Sequence, residues 1–337
     1  MLIFIATVSF LCILLYKFCF GDGDFTLVLK GHPKRDAIED KVVWITGASR
    51  GIGEVLAGQL AGLGAKLILS ARNENELERV RSQLRGAFAS KLCSLLSQAQ
   101  KGSLLVPVGK HAPNDVMILP LDLASGEELL RKAVERAESF FSGAGVHYML
   151  HNAAFERPKT SAQDVPEEIM KAAFDVNVFG AISLTKLLVP SMIGRGKGHF
   201  VVISSAAAKV PAPGQALYSA TKSALHGYFH TMRSELCQKG IKVTVVCPGP
   251  INTGSAASSE RLSCERCAEL IIVAFSHCLK EAWISCQPVL GLMFLAQYIP
   301  SLVYWLMDKI GAKRLEAASQ KENTYSLALL FGKKKTI

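Results

Sequence analysis

The chain has 337 residues, half of them apolar, and a formal net charge of +10. That apolar fraction excludes a polar disordered chain and allows one large folded unit or two small ones. The basic residues are scattered without a basic–aromatic stripe, which argues against a nucleic-acid partner, and nine irregularly spaced cysteines suit reduced core thiols better than a disulfide framework.

Met1 to Tyr16 carry no charge, and Lys17 is followed by Phe18-Cys19-Phe20. This approaches the roughly 20 apolar residues that a spanning helix needs. A cleaved signal would bring a basic start and a small-residue cleavage context, and neither is present. The expectation is an N-terminal membrane anchor over 1–20 and a linker over 21–40. Lys17, Lys30, Lys34 and Arg35 lie on its C-terminal side, which places the body of the protein in the cytosol.

From Lys41 onward short apolar runs alternate with helical patterns. Strands are expected at 42–45, 66–70, 116–119, 146–150, 199–203 and 241–246, with a last short one at 283–285. Helices are expected at 52–63, 75–84, 126–141, 166–192 and 215–238. Strands alternating with helices predict an α/β fold, a single Rossmann-type doubly wound parallel sheet with helices on both faces, over about 41–288. The stretch 86–115 starts mildly helical and then holds Gly102, Pro107, Gly109 and Pro113, so it reads as a poorly ordered insertion. Val289 to Met307 is apolar but broken by Gln297 and Pro300, which favours a hairpin or amphipathic segment over a substrate pocket; 289–337 is thus an apolar segment with a basic tail.

Two motifs carry chemistry. Thr46-Gly47-Ala48-Ser49-Arg50-Gly51-Ile52-Gly53 follows a strand and opens a helix, the context of a dinucleotide site. Its glycines let the backbone approach a pyrophosphate at a helix N-terminus. The second strand ends in Ser70-Ala71-Arg72, where an enzyme for the unphosphorylated dinucleotide would carry Asp or Glu. Arg72 and Arg50 suit a ribose 2′-phosphate instead, so the cofactor expected is NADP(H). Tyr218 and Lys222 are four apart and share a helix face, where an ammonium favours the phenolate. Cys264-x-x-Cys267 has no second pair, and no metal site is expected.

With these residues on one chain, the sequence resembles the short-chain dehydrogenase/reductase family over about 42–253. The resemblance implies a catalytic set of Asn177, Ser205, Tyr218 and Lys222. In it Tyr218 gives or takes the proton, Ser205 holds the same oxygen, Lys222 tunes Tyr218 and holds a ribose, and Asn177 anchors a relay water. Cofactor contacts are implied for Thr46, Gly47, Ser49, Arg50, Gly51, Ile52, Gly53, Arg72, Asp122, Asn152, Tyr218, Lys222, Pro248, Ile251 and Thr253. His151, Ala154 and Ala208 stand where the family pattern has Asn, Gly and often Gly. These departures motivate the alternative of a catalytically impaired cofactor-binding or interaction member.

The anchor, 21–26 and 281–285 resemble membrane-bound members of the endoplasmic reticulum that are linked to steroid and retinoid carbonyls. The terminal Lys334-Lys335-Thr336-Ile337 resembles a dilysine retrieval signal for that compartment. The partners so implied are a lipophilic small molecule, a membrane, and a second or fourth copy of the chain, docked through 166–192 and 215–238.

Overall fold

The computed structural model describes residues 4, 21–99, 115–156, 159–252 and 261–319, the side chains of 87–99 and 318–319 excepted. Most of the expected anchor, residues 100–114 of the insertion, Thr253 and the terminal lysines lie outside the described residues.

The described sheet has seven parallel strands in the order β3-β2-β1-β4-β5-β6-β9. These are β1 Val42–Thr46, β2 Lys66–Ser70, β3 Val116–Ile118, β4 Tyr148–His151, β5 Gly198–Ile203, β6 Ile241–Pro248 and β9 Glu281–Ile284; the short pair β7 Ile251–Asn252 and β8 Leu262–Ser263 stands apart. Helices covering the sheet are α2 Gly51–Gly62, α3 Glu74–Ala99, α4 Glu127–Gly143, α5 Glu167–Phe174, α6 Gly180–Gly194, α7 Ala216–Leu236 and α8 Cys264–Ser276, preceded by a four-residue turn of helix, α1 Phe25–Val28. Two more, α9 Val289–Tyr298 and α10 Pro300–Ser319, meet at Pro300.

The doubly wound arrangement follows from the strand sequences. Every residue of β1 is buried. Val43 and Ile45 join a core with Leu56 and Leu60 of α2 and Ile271 and Phe275 of α8. Val42 and Trp44 join the opposite core with Leu184 of α6 and Phe229 of α7. A strand apolar on both faces can only lie between two helical layers. The chain reverses its direction of travel between β1 and β4, which opens a crevice at their carboxyl ends.

Three segments differ from expectation. First, α3 does not stop near 84 but runs unbroken through the mildly helical start of the insertion to Ala99. Second, the expected long helix at 166–192 contains a π-helical turn, Asp175–Phe179, between α5 and α6. The stretch 167–194 is long and apolar enough to cross a membrane, but close to half of its most apolar window is buried in this fold, as in a core helix.

Third, 21–40 is docked onto the domain and is not a free linker. The Asp24 carboxylate caps α1 at the Leu27 amide (3.0 Å) and accepts the Trp283 amide (2.6 Å), while the Asp24 amide donates to the Trp283 carbonyl (2.9 Å). Asp22 pairs with Arg266 at 2.6 Å, and Leu27 and Ile38 are buried. The segment therefore covers the edge strand β9, whose open backbone would otherwise invite pairing.

Candidate active site

The turn after β1 is held open for a ligand by backbone geometry. Gly47 and Gly51 have φ of +66° and +59°, a region that L side chains avoid. Gly53 passes directly beneath the Gly47 carbonyl; a β-carbon there would lie 2.6 Å from Asn152 Nδ2. Asn152 Nδ2 donates to the carbonyls of Thr46 (3.0 Å) and Gly47 (3.1 Å). Thr46 Oγ1 donates to the Leu150 carbonyl and accepts from the amides of Asn152 and Ala153. From α3, Arg79 donates to the Ser49 carbonyl (3.0 Å) and forks onto Glu54 (2.8 and 3.1 Å). Thr46, Asn152 and Gly53 thus build the turn, and the amides of α2, whose N-cap Arg50 supplies no side-chain cap, face the ligand space.

That space is a cleft of about 760 Å³. It is lined by Thr46, Gly47, Ser49, Arg50, Gly51, Ile52, Arg72, Asp122 and Asn152, so nine of the expected cofactor residues converge. Gly53 lies below it. Arg50 and Arg72 are exposed along its wall, and no carboxylate ends β2. A bare glycine cradle, a helix N-terminus and two guanidiniums fit an adenosine diphosphate that carries an additional phosphate.

The catalytic candidates converge at the ends of β5 and α7. Ser205 follows β5 and caps the turn Ala206–Ala208, its Oγ accepting the Ala207 amide at 3.1 Å. Tyr218 lies in the first turn of α7 and Lys222 one turn on. Lys222 is buried, its Nζ donating to the Ile203 carbonyl at 2.7 Å and lying 5.6 Å from the centre of the Tyr218 ring. Burial pushes its ammonium down to about 8, against the opposing fields of Glu156 and Cys247. Near neutral pH it stays charged beside the phenol, where it favours the phenolate.

Asn177 sits in the π-helical turn, a device that often marks functional positions. Its amide grips Phe155 on both sides: Oδ1 accepts the Phe155 amide, while Nδ2 donates to the Phe155 carbonyl (3.0 Å) and to Thr221 Oγ1 (3.2 Å). Asn177 thereby ties the π-helical turn to α7 at Thr221, the residue before Lys222.

Ser205 and Tyr218 face a second cavity of about 680 Å³, also lined by Pro248 and Ile251. Ile52 and Glu156 line both spaces, so the glycine cleft and the catalytic cavity join there. A proton donor, a second hydroxyl and a buried ammonium beside a nucleotide cleft can protonate an oxygen while a hydride arrives on its carbon.

The departures from the family pattern are accommodated. His151 is buried, bonds Thr185 Oγ1 at 2.8 Å and stacks on Phe200; burial pushes its imidazole down to about 3. It is a neutral packing residue. Ala154 lies on the cleft wall, and Ala208 closes the turn after Ser205.

Sequence reading missed several groups. Lys209, just beyond that turn, pairs with Glu281 of β9 at 2.8 Å and lies 3.0 Å from His226 Nε2. His230 Nε2 reaches the same carboxylate at 2.9 Å. Burial pushes the Glu281 carboxyl up, but hydrogen bonds from His230, Lys209 and Trp283 prevail and hold it well below the usual carboxylate range. His226, His230 and Glu281 have ligand atoms close enough to share a metal ion, but the Lys209 ammonium already bonds two of the three. The cluster ties the Ser205 loop to the sheet edge. Cys264 and Cys267 are separate thiols on α8.

Comparison with known proteins agrees with this geometry. The family model described as short chain dehydrogenase matches residues 41–96 and 89–262. The chain is 32% identical to human dehydrogenase/reductase SDR family member 7, covering 94% of this chain and 91% of that one. It is 32% identical to a Drosophila melanogaster SDR family protein 7-like, covering 85% of each. Among solved structures it resembles a Streptomyces avermitilis short-chain dehydrogenase (TM-score 0.63, 22% identity, 82% of this chain and 97% of that one). It also resembles a Burkholderia cenocepacia short-chain dehydrogenase in complex with NADP (TM-score 0.62, 20% identity, 80% and 97%). The chain belongs to the short-chain dehydrogenase/reductase family of oxidoreductases.

Proposed function

We propose that this protein is an NADP(H)-dependent carbonyl reductase or alcohol dehydrogenase acting on a lipophilic substrate, such as a steroid or retinoid, at the cytosolic face of the endoplasmic reticulum membrane. The observation that carries the reading is the placement of Ser205 and Tyr218 on the wall of a largely apolar cavity, with buried Lys222 behind and the glycine cleft alongside. Bound NADPH supplies the hydride. Tyr218 supplies the proton to the carbonyl oxygen, Ser205 donates a hydrogen bond to the same oxygen, and Lys222 stabilises the phenolate left behind. Arg50 and Arg72 favour the phosphorylated cofactor, as does the NADP held by the Burkholderia relative of the same fold.

The membrane assignment rests on the uncharged N-terminal stretch and on an apolar surface. Phe25 at the start of α1 and Leu29 just after it are exposed, as are Tyr298 of α9, Ile299 between the helices, and Leu302, Tyr304 and Trp305 of α10. The Phe25 and Phe294 rings lie 6.0 Å apart, so α1, which follows the expected anchor, meets α9. Lys309 lies over the Trp305 ring at 3.7 Å, an aromatic and cationic pairing suited to a headgroup layer. The test is NADPH oxidation by the detergent-solubilised protein against retinal, steroid ketones and simple diones, with Tyr218→Phe beside it. Turnover lost in the variant supports the reductase. A folded protein that turns over no carbonyl favours the catalytically impaired alternative.

A further inference from the structure

Tyr218, Lys222, His226 and His230 follow one another at four-residue steps along α7, and they serve two different ends. The first two belong to the catalytic site. The last two reach a polar cluster behind it, where His230 Nε2 lies 2.9 Å from Glu281 of β9. There the Lys209 ammonium bonds Glu281 at 2.8 Å and His226 Nε2 at 3.0 Å, and lies 5.4 Å from the centre of the Trp283 ring. Burial first, and then the Lys209 charge, push the His226 imidazole down to about 4 against the opposing field of Glu281. Near neutral pH the ring is therefore neutral, and its Nε2 can accept a hydrogen bond from Lys209. A lysine side chain only 15% exposed, with two polar partners and a ring beside it, is a fixed group and not a solvated one.

What Lys209 fixes is the turn that carries Ser205. Ser205 and Lys209 bracket Ala206–Ala208 at its two ends. The amides of Lys209 and Val210 both donate to the Ala206 carbonyl at 2.9 Å, and the Ala208 amide donates to the Ser205 carbonyl at 3.0 Å. These bonds are internal to the turn, so they hold its shape but not its place. At its near end Ser204 makes the tie: its amide donates to the Val246 carbonyl of β6 (2.7 Å) and its hydroxyl to the Lys222 carbonyl (3.1 Å). At its far end Lys209 makes the tie, to β9 and to α7. Ala206, Ala207, Val210, Pro211 and Ala212 line the catalytic cavity, while the Lys209 side chain lies behind them on Glu281.

We propose that Lys209 is a positioning residue for Ser205: its ammonium, seated on Glu281 and His226, pegs the Ser205 turn to β9 and to the helix of Tyr218, so that both hydroxyls meet the same substrate oxygen. This deepens the reductase reading and rests on it. An apolar side chain of the same length would fill the space but would take the donor from Glu281 and His226. The turn would then keep its internal bonds and lose its place. Lys209 acts through Ser205, so its effect belongs to the chemical step. Lys209, His226, His230 and Glu281 all lie outside the lining of the glycine cleft, so cofactor binding is spared.

The test is steady-state kinetics on the solubilised full chain, with a carbonyl compound that the parent reduces. Lys209→Met should lower kcat at least about tenfold at an unchanged NADPH KM, since misplacing an oriented group by about 1 Å can cost on the order of a hundredfold. In a Ser205→Ala background the same substitution should add little further loss, because no hydroxyl is left to position. Glu281→Gln, which keeps the shape of the seat, should lose kcat in smaller measure and gives a readout even where the Met variant fails to fold. Three results would overturn the proposal: kcat per folded molecule unchanged in both variants, an equal loss in the Ser205→Ala background, or a change in the NADPH KM in place of kcat. If the parent turns over no carbonyl, the reductase reading fails by itself. Hydrogen exchange of the amides at 207–210 then decides whether Lys209 holds the turn. Exchange should be at least about tenfold faster in Lys209→Met, the scale of a charge-assisted bond, and an unchanged rate would overturn the peg.

Discussion

Gly53→Ala should break the nucleotide cleft while leaving the sheet intact. The added β-carbon would lie 2.6 Å from Asn152 Nδ2 and 2.9 Å from the Gly47 carbonyl carbon, closer still to its oxygen. None of these atoms is the free end of a flexible chain, since the Asn152 amide is itself bonded to Thr46 and Gly47. Relief requires the first turn of α2 to move away from the Gly47 peptide by several tenths of an ångström or more. Overpacking of this kind costs about 1–3 kcal/mol. For a domain of this size that is a fall of roughly 2–4 °C in Tm per kcal/mol. The larger effect falls on the ligand, because misplacing oriented groups by about 1 Å can cost on the order of a hundredfold. The assay is NADPH affinity by calorimetry with thermal melts alongside. Gly62→Ala is the control. It lies at the end of the same helix with nothing within 4 Å, and it should gain about 0.4–1 kcal/mol at unchanged affinity. A Gly53→Ala protein that binds NADPH as tightly as the parent would show that the cradle is not where the pyrophosphate sits.

Three further outcomes follow from the same geometry. Arg72→Ala should raise the NADPH KM by tenfold or more and leave that for NADH unchanged, since a charge-assisted bond to phosphate is worth about 1.5–3 kcal/mol; equal effects on both cofactors would remove the 2′-phosphate assignment. Asp24→Ala should strip the acceptor from the Leu27 and Trp283 amides, costing about 1–3 kcal/mol per buried donor, and should speed proteolysis within 21–40; an unchanged melt and digestion pattern would mean that the segment is not docked in solution. Burial pushes both His151 and His199 down to about 3. As pH falls from 6.5 toward 3 the unfolded chain takes up protons that the folded one refuses, so stability is lost in that direction, at up to about 1.4 kcal/mol per pH unit for each histidine. Tm should fall between pH 7 and 5, and less steeply in His199→Gln; an identical slope in that variant would assign the acid sensitivity elsewhere.

The parts of this protein that were legible in its sequence are those that chemistry confines to short spans. A parallel strand buried on both faces must be a run such as Val42-Val43-Trp44-Ile45, and a phosphate cradle must place Gly47, Gly51 and Gly53 within one turn of chain. Tyr218 and Lys222 are readable because one helical turn sets a phenol beside an ammonium. What stayed hidden is joined across the chain. Asp22 meets Arg266 and Asp24 meets Trp283 over more than 240 residues, so 21–40 reads as a linker until the edge of β9 is in view. Gly86 interrupts the helical pattern of α3 without ending the helix, because a single glycine costs only about 1 kcal/mol against alanine.

The same division separates reaction from selectivity. The groups that would protonate a carbonyl oxygen sit within one turn of α7 and at the end of a neighbouring strand, and their types follow from the reaction. The groups that would choose the carbonyl line the cavity from several segments, among them Val210, Leu292 and Ile310, with no fixed spacing between them. A chain can change such a set one residue at a time without disturbing Ser205, Tyr218 or Lys222. That is why membership of the family fixes the chemistry and leaves the substrate to be read from the cavity wall.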